Sequence, residues 1–215
     1  MAMTAGLLWQ ATLETLYMTG VATLLAHVAG IPLGVLLVVT DRGHILQKRP
    51  VREVLAAVVN IGRSVPFIIL LVAIIPFTRW VVGTSIGTAA AMVPLTVAAI
   101  PFVARVVETA LREVDPGVVE AAQSMGATPW QIITRVLLPE AMPALALGAA
   151  ITAINVLGYS AMAGAVGGGG LGDLAVRYGY QRFRTDIMVQ TVVLLVVLVQ
   201  GMQAIGDALA RRLRR

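Results

Sequence analysis

Side chains able to do acid–base, nucleophilic or metal chemistry are sparse in this chain and form no recognisable catalytic set. The sequence holds two histidines, His27 and His44, and no cysteine. A phosphate-binding loop needs Gly-Lys followed by Ser or Thr, but the one lysine, Lys48, follows Gln47. The sequence therefore predicts no enzyme, no metal site and no cofactor, and any ATP that drives its function must bind to a partner subunit.

The most informative polar pattern surrounds residues 120–139, EAAQSMGATPWQIITRVLLP. Asp115, just before it, can cap a helix, and Pro116 suits the first helical position, where its missing N–H costs nothing. Gly126 predicts the end of this helix, because glycine adopts the left-handed C′ conformation at little cost. We therefore expect one short, sharply bounded helix before the glycine.

A second short helix should follow the glycine. Thr128, Pro129 and Gln131 fit the T-x-x-Q capping box with proline at the first helical position. A proline pushes the residue before it out of the α region, so this helix should end just before Pro139.

Two helices around a glycine turn fit either a DNA-binding helix-turn-helix or a protein-docking element between membrane spans. The second helix offers one basic residue, Arg135, and little polar material to read bases. Hydrophobic segments flank the element on both sides. The docking interpretation is therefore favoured, and nucleic acid is not expected as a partner.

The composition predicts an all-α integral membrane protein in contact with lipid. Of the 215 residues, 58% are hydrophobic and 13% are charged, which is too apolar for an ordinary soluble domain. We expect five transmembrane helices, at about residues 16–40, 54–77, 86–103, 143–166 and 187–206. They would form a single domain over residues 1–215, with a polar insert at about residues 104–140.

Several local features carry expectations about these spans. Gly30 and Gly34 predict close helix packing, whereas Pro94 and Pro101 should interrupt the third span. Pro66 and Pro76 mark kinks or ends of the second. The glycines of residues 164–172 predict a flexible loop or a close-packed helix end, and residues 173–186 a loop.

Two charged features have alternative interpretations. Arg63 lies inside the second expected span, where it either reaches the membrane interface or serves a pathway or pairing role. Glu108 and Arg112 are spaced for an ion pair one helical turn apart, which we expect on a solvated helix face.

The distribution of basic residues predicts the orientation. The first and third connections and the C-terminal tail hold eleven Lys and Arg residues, against four in the second and fourth connections. The positive-inside rule then places the N-terminus outside and the C-terminus in the cytoplasm. Residues 120–139 would lie on the cytoplasmic side.

The same stretch resembles a known family. Glu120-Ala121-Ala122, Gly126, and then Val136 and Leu138-Pro139 after nine intervening residues are similar to the EAA signature of bacterial ABC-importer permeases. Further blocks resemble the methionine-import branch, namely RSVPFIILL (residues 63–71), IPFTR (75–79), VGTSIG (82–87), VPLT (93–96) and GYSAMAGAVGGGGLGDLAVRYGY (158–180). The resemblance covers almost the whole chain.

This resemblance implies a type I ABC importer-like permease in the bacterial inner membrane. Its partners would be a second copy of the chain, two ABC ATPase subunits and a lipid-anchored or periplasmic substrate-binding protein that delivers D- or L-methionine. The EAA segment would be the coupling helix that docks on the ATPase. The docking residues expected from it are Glu120, Ala121, Ala122, Ser124, Met125, Gly126, Ala127 and Thr128.

The transport path is less constrained by the sequence. We expect it to pass Tyr159, Ser160 and Met162, and Arg63 is a further candidate. Met162 would be either an apolar gate or a methionine packed in the core or against lipid. Two other functions stay open: a permease of the same superfamily for another small amino acid or solute, and a membrane regulatory or structural protein without transport. The second would have no ATPase partner.

Overall fold

A computed structural model describes the backbone of residues 2–213 and the side chains of residues 5–213. This part of the chain is helical and holds no strand. The helices are α1 (Ala2–Val39), α2 (Arg49–Ser64), α3 (Phe67–Ala73), α4 (Ile75–Val82), α5 (Thr88–Arg112), α6 (Pro116–Ser124), α7 (Pro129–Ile132), α8 (Leu138–Gly164), α9 (Gly170–Leu174) and α10 (Thr185–Leu213). Two π-helical segments, Ile133–Leu137 and Ala175–Tyr180, follow α7 and α9.

Four helical segments are long and apolar enough to cross a membrane: most of α1, α5, the continuous stretch from α7 to α8, and α10. The pair α2 and α3 passes the same test but bends by 99° between its two halves. The all-α membrane fold is therefore confirmed, and the described helices make four spans, or the expected five if the bent pair counts as one. The observed bounds run past several predicted ones, since α1 begins well before residue 16 and α10 reaches Leu213.

The second span is broken where the sequence predicted a kink. Val65 has an extended backbone (φ −84°, ψ 121°), and Pro66 then begins α3. A proline excludes its predecessor from the helical region, which explains the break. Pro76 likewise lies in the first turn of α4, so the predicted kinks or ends at Pro66 and Pro76 are both confirmed.

The third span shows the opposite result. Pro94 and Pro101 lie inside α5, which stays helical from Thr88 to Arg112, so the expected interruption is wrong. Both prolines are buried, and the ring of Pro101 packs against Gly62 of α2. Neighbouring helices thus enclose the turns where proline removes a backbone donor, and the helix continues.

The helix also continues through Pro139. The π-helical segment Ile133–Leu137 leads directly into α8, in which Pro139 occupies the first turn. Its wider i→i+5 turn gives the proline ring room that a regular helical turn would lack. The predicted helix end before Pro139 is wrong, as is the predicted loop over residues 173–186, which stays helical to Tyr180.

Close glycine contacts organise the core. Gly30 and Gly34 of α1 lie against Val103 and Val107 of α5, which confirms the predicted close packing. A Cβ on Gly164 would stand 2.3 Å from the backbone nitrogen of Asp173, so the glycine-rich segment is a tightly packed helix end. The largest buried cluster fills the space between α1, α5 and α8.

Candidate functional site

Residues 115–132 form two short helices, called here the two-helix element. The Asp115 carboxylate caps α6 by accepting a hydrogen bond from the backbone N–H of Gly117 (2.8 Å). Gly126 has φ +78°, and the backbone N–H of the next residue, Ala127, donates to the carbonyl of Ala122 (3.1 Å). These contacts confirm the predicted cap and the left-handed glycine, and they fix the angle at which the chain leaves α6.

The second helix of the element begins with a complete capping box. The backbone N–H of Gln131 donates to the Thr128 hydroxyl (3.4 Å), and the Gln131 side-chain oxygen accepts from the backbone N–H of Thr128 (2.8 Å). Two backbone donors that would otherwise lack partners are thereby satisfied. The turn between α6 and α7 is therefore held by side chains as well as by the backbone.

One face of the two-helix element packs inward and the other is open. Val119, Ala122 and Ile132 are buried in the main core cluster. Met125 and Trp130, in contrast, are 81% and 71% exposed. The other residues expected from the EAA resemblance divide in the same way: Ala127 is half-buried, whereas Glu120, Ala121, Ser124, Gly126 and Thr128 are exposed.

The connections between the two-helix element and two long helices are very short. Three residues separate the end of α5 from the start of α6. On the other side, α7 runs without a break through Ile133–Leu137 into α8. Any force on the element therefore acts directly on α5 and α8.

A charge network lies beside this junction and consists of Asp41, Arg52, Arg105, Glu108 and Arg112. Arg105 and Arg112 contact the two oxygens of Glu108 at 2.6 and 3.0 Å. Arg112 also reaches Asp41 at 2.5 Å, and Arg52 contacts the second oxygen of Asp41 at 2.9 Å. The predicted Glu108–Arg112 pair is confirmed.

Its expected position on a solvated face is wrong, because Glu108 is only 3% exposed. The contacts to Asp41 and Arg52 were not predicted, because they join parts of the chain far apart in sequence. The spacing of Arg105, Glu108 and Arg112 was a signal, because it places two cations within one helical turn of one carboxylate.

The pKa values of two residues in the connection between α1 and α2, Asp41 and His44, are shifted by burial and by the charges of this network. Burial alone would raise the pKa of Asp41, but hydrogen bonds from Arg112 and Arg42 and the charge of Arg52 outweigh it, so the pKa is lowered. Burial lowers the pKa of His44 from its ordinary value of 6.5, and the charge of Arg112 lowers it further. Asp41 is therefore ionised and His44 neutral near pH 7.

The residues expected along a transport path lie in different surroundings. Tyr159 stacks on Phe67 of α3, with ring centroids 4.8 Å apart and planes 5° apart. Ser160 is buried, and its hydroxyl donates to the carbonyl of Leu157 (2.7 Å). Met162 is 50% exposed.

Arg63 is not grouped with these three residues. It lies in the last turn of α2 and lines a separate cavity of about 330 Å³ between α2, α5 and α8. Apolar side chains of Phe102, Leu147 and Ile151 line the same cavity, together with Arg105 and Glu113.

Among residues 2–213, no cluster of His, Asp or Glu side chains has the geometry of a metal site.

Comparison with known families identifies the architecture. The family model for the binding-protein-dependent transport system inner membrane component matches residues 30–215. The chain belongs to this family. It is accordingly a multi-pass component of the bacterial inner membrane and a transport subunit, which confirms the prediction that it is not an enzyme.

Individual relatives of this inner membrane component are similar over nearly their whole length. A probable D-methionine transport system permease protein of Vibrio cholerae is 58% identical over 211 residues, covering 98% of this chain and 94% of the relative. A methionine import system permease protein of Bacillus subtilis is 50% identical over 200 residues, covering 93% and 90%.

Solved structures agree with the sequence relatives. An inward-facing structure of the MetNI methionine ABC transporter superposes with a TM-score of 0.96 at 53% identity, covering 97% of each chain. A crystal structure of an amino acid ABC transporter with histidines gives a TM-score of 0.80 at 20% identity, which shows the fold alone. The resemblance to ABC-importer permeases seen in the sequence is confirmed.

Proposed function

We propose that this chain is the permease subunit of an ATP-driven methionine importer. Two relatives named as methionine permeases are 58% and 50% identical to it over alignments that cover 98% and 93% of the chain. The inward-facing methionine transporter has the same fold at a TM-score of 0.96. The observation that carries the proposal is the two-helix element. Its capped helices have one open face, and short connections join it to the two long helices α5 and α8.

The proposed assembly contains two copies of the chain and two ABC ATPase subunits, with a substrate-binding protein that delivers methionine. The two-helix element would dock in the ATPase through its exposed residues from Glu120 to Thr128. Met125 and Trp130 are suited to this contact, because large exposed side chains of these types recur at the centre of protein interfaces. Ala122 would instead support the element from behind, since it is buried.

The proposed orientation places the N-terminus outside and the C-terminus and the two-helix element in the cytoplasm. The excess of Lys and Arg in the first and third connections and in the tail supports it. Because the chain lacks cysteine, single cysteines can test it. A membrane-impermeant maleimide applied to intact cells should label Thr84→Cys and spare Ser124→Cys, and the reverse pattern would overturn the orientation.

In the proposed cycle, ATP binding closes the ATPase subunits and moves the two-helix elements that dock on them. Rigid-body rocking of α5 and α8 would then open the path to the other side of the membrane. Tyr159 and Met162 are the better candidates to contact the solute, because Ser160 is buried and already hydrogen-bonded. Arg63 would act at a separate point, in the cavity between α2, α5 and α8.

The decisive experiment is reconstitution of the chain with the ATPase subunit and the binding protein of its own organism. ATP-dependent uptake of labelled L- and D-methionine should exceed uptake of other amino acids. Efficient uptake of a different solute would favour another permease of the superfamily. Failure of any ATPase subunit to copurify would overturn the importer and favour a membrane protein without transport.

A further inference from the structure

The charge network is the main polar connection between α2 and α5. Arg105 of α5 donates to the side-chain oxygen of Asn60 on α2 at 2.6 Å, beside its contact with Glu108. Two turns along α2, Arg52 pairs with Asp41, which Arg112 of α5 also contacts. The network therefore bridges the two helices at both of its ends.

Apolar packing gives α2 little other attachment. Of its 16 residues, only Val59 is buried, and Leu55 and Ala56 pack beside it in a small apolar cluster. One further close contact joins Gly62 to Pro101 of α5. Because so little apolar surface holds α2, its position depends to an unusual degree on the charged contacts.

The burial of Glu108 makes the network sensitive to loss of a single charge. The side chain of Glu108 is 5% exposed and lies between two guanidinium groups. Loss of its charge would leave Arg52, Arg105 and Arg112 with Asp41 as the one remaining carboxylate of the network. Breaking a buried ion pair by removal of one partner is strongly destabilising, because the other charges are left uncompensated.

The charge network lies between the two-helix element and the contact of Phe67 with Tyr159. On one side, α5 ends at Arg112, three residues before the two-helix element. On the other side, α2 leads through the bend at Pro66 to Phe67, which stacks on Tyr159 of α8. Movement of the two-helix element can thus reach Tyr159 through α5, the network and α2, as well as directly along α8.

We propose that Glu108 and Asp41 are positioning residues of the transport cycle, which fasten α2 to α5 so that movement of the two-helix element is transmitted to the Phe67–Tyr159 contact. This inference rests on the proposed function, because it needs an ATPase subunit that moves the element. Neither residue contacts the solute. Their loss should separate ATP hydrolysis from transport without preventing assembly.

The first test compares Glu108→Gln with Glu53→Gln in the complete transporter reconstituted in vesicles. Glu53 lies on α2, is exposed, and pairs with Arg49 outside the charge network. In Glu108→Gln, methionine transported per ATP hydrolysed should fall about tenfold, while Glu53→Gln keeps the wild-type ratio. An unchanged ratio in Glu108→Gln, or equal loss in both variants, would overturn the inference.

The second test restores the connection covalently. A Cβ on Gly62 would stand 3.2 Å from the Cβ of Pro101, just below the range of about 3.5–4.5 Å found in disulfides, so a slight separation of the two helices admits the bond, and the chain itself has no cysteine. Gly62→Cys with Pro101→Cys should therefore form a disulfide on oxidation. In the Glu108→Gln background, oxidation should restore the transport ratio and reduction should abolish it again.

The outcomes separate this inference from the proposed function. If the wild-type chain neither binds the ATPase subunit nor transports methionine, the proposed function fails. If the wild type transports and the disulfide forms without restoring the ratio, the inference alone fails. If Glu108→Gln does not assemble, the same measurement is made with Arg105→Gln. This variant removes the contact with Asn60 and leaves Arg112 paired with Glu108. Loss of assembly in both variants would show a purely structural role and overturn the inference.

Discussion

Gly34 of α1 lies directly against Val107 of α5. A Cβ on Gly34 would stand 2.6 Å from the Val107 Cβ and 2.7 Å from the carbonyl oxygen of Ala104. These separations are far below van der Waals contact, so any side chain at this position must push the two helices apart. Val107 belongs to the largest buried cluster, so separation of the two helices at this point would disturb the core.

Gly34→Ala should therefore destabilise the protein by about 1–3 kcal/mol through overpacking. The loss should appear even though alanine favours a helix over glycine by about 1 kcal/mol. Gly20→Ala is the matched control, because it lies on the same helix with open space around the added methyl group. Thermal unfolding of the purified chain in detergent should show a lower Tm for Gly34→Ala only. Equal Tm values would mean that the helices can separate freely.

Gly126 provides a test of the two-helix element that involves no steric clash. Its φ is +78°, and nothing lies within 4 Å of an added Cβ. Valine at this position would be strained by the backbone alone, whereas asparagine tolerates the left-handed region. Gly126→Val should lose methionine-driven ATP hydrolysis while still inserting in the membrane, and Gly126→Asn should keep most of it. Normal hydrolysis by Gly126→Val would count against a docking role for this turn.

Glu120 tests the proposed docking face through its charge. The residue is exposed on the same helix whose Val119 and Ala122 are buried, so a substitution there leaves the core intact. Glu120→Lys should reduce copurification of the ATPase subunit at least tenfold, because reversal of an interface charge can cost about 2 kcal/mol or more. Glu113→Lys, also exposed, should copurify normally. Equal recovery of the ATPase with both variants would exclude Glu120 from the interface.

Local sequence chemistry predicted the two-helix element almost completely. The Asp115 cap, the left-handed Gly126 and the capping box at Thr128 all depend on residues within four positions of one another. Such interactions are decided by the chain itself and need no information about the rest of the fold.

The errors arose where distant parts of the chain decide the outcome. Pro101 does not interrupt α5 because Gly62 of another helix packs on its ring. Glu108 is buried rather than solvated because Asp41, 67 positions earlier in the sequence, holds Arg112 beside it. Neither contact has a local signature. Pro139 differs, because a π-helical turn accommodates it and no residue pattern in the sequence predicts that turn.

Met162 distinguishes a gate from a packed methionine. Its side chain is 50% exposed on α8, and Met142 on the same helix is 47% exposed but lies in a cavity beside the two-helix element. If Met162 closes the path, Met162→Ala should raise methionine leak in the absence of ATP, and Met142→Ala should not. Uptake and leak can both be measured in vesicles with labelled methionine. Wild-type leak in Met162→Ala would assign the side chain to packing or lipid contact.

The connection between α1 and α2 should make stability depend on pH through His44. Its pKa is lowered by burial and by Arg112, so the folded state binds this proton more weakly than the unfolded chain does. Above the ordinary pKa of 6.5 both states are neutral and the group contributes nothing. As the pH falls below that value, the unfolded state gains a proton that the folded state resists, and stability falls.

His44→Gln should remove this dependence while leaving the fold intact. Between about pH 7.5 and pH 5.5, the Tm of the wild type should fall more than that of the variant. The reason is that only the wild type carries His44, which takes up a proton more readily in the unfolded chain than in the folded one over this pH range. Asp41 does not disturb this comparison. Its lowered pKa gives stability that is present above the ordinary value of 3.8 and is lost only at lower pH. Parallel Tm curves for wild type and His44→Gln would show that His44 titrates as it does in the unfolded chain.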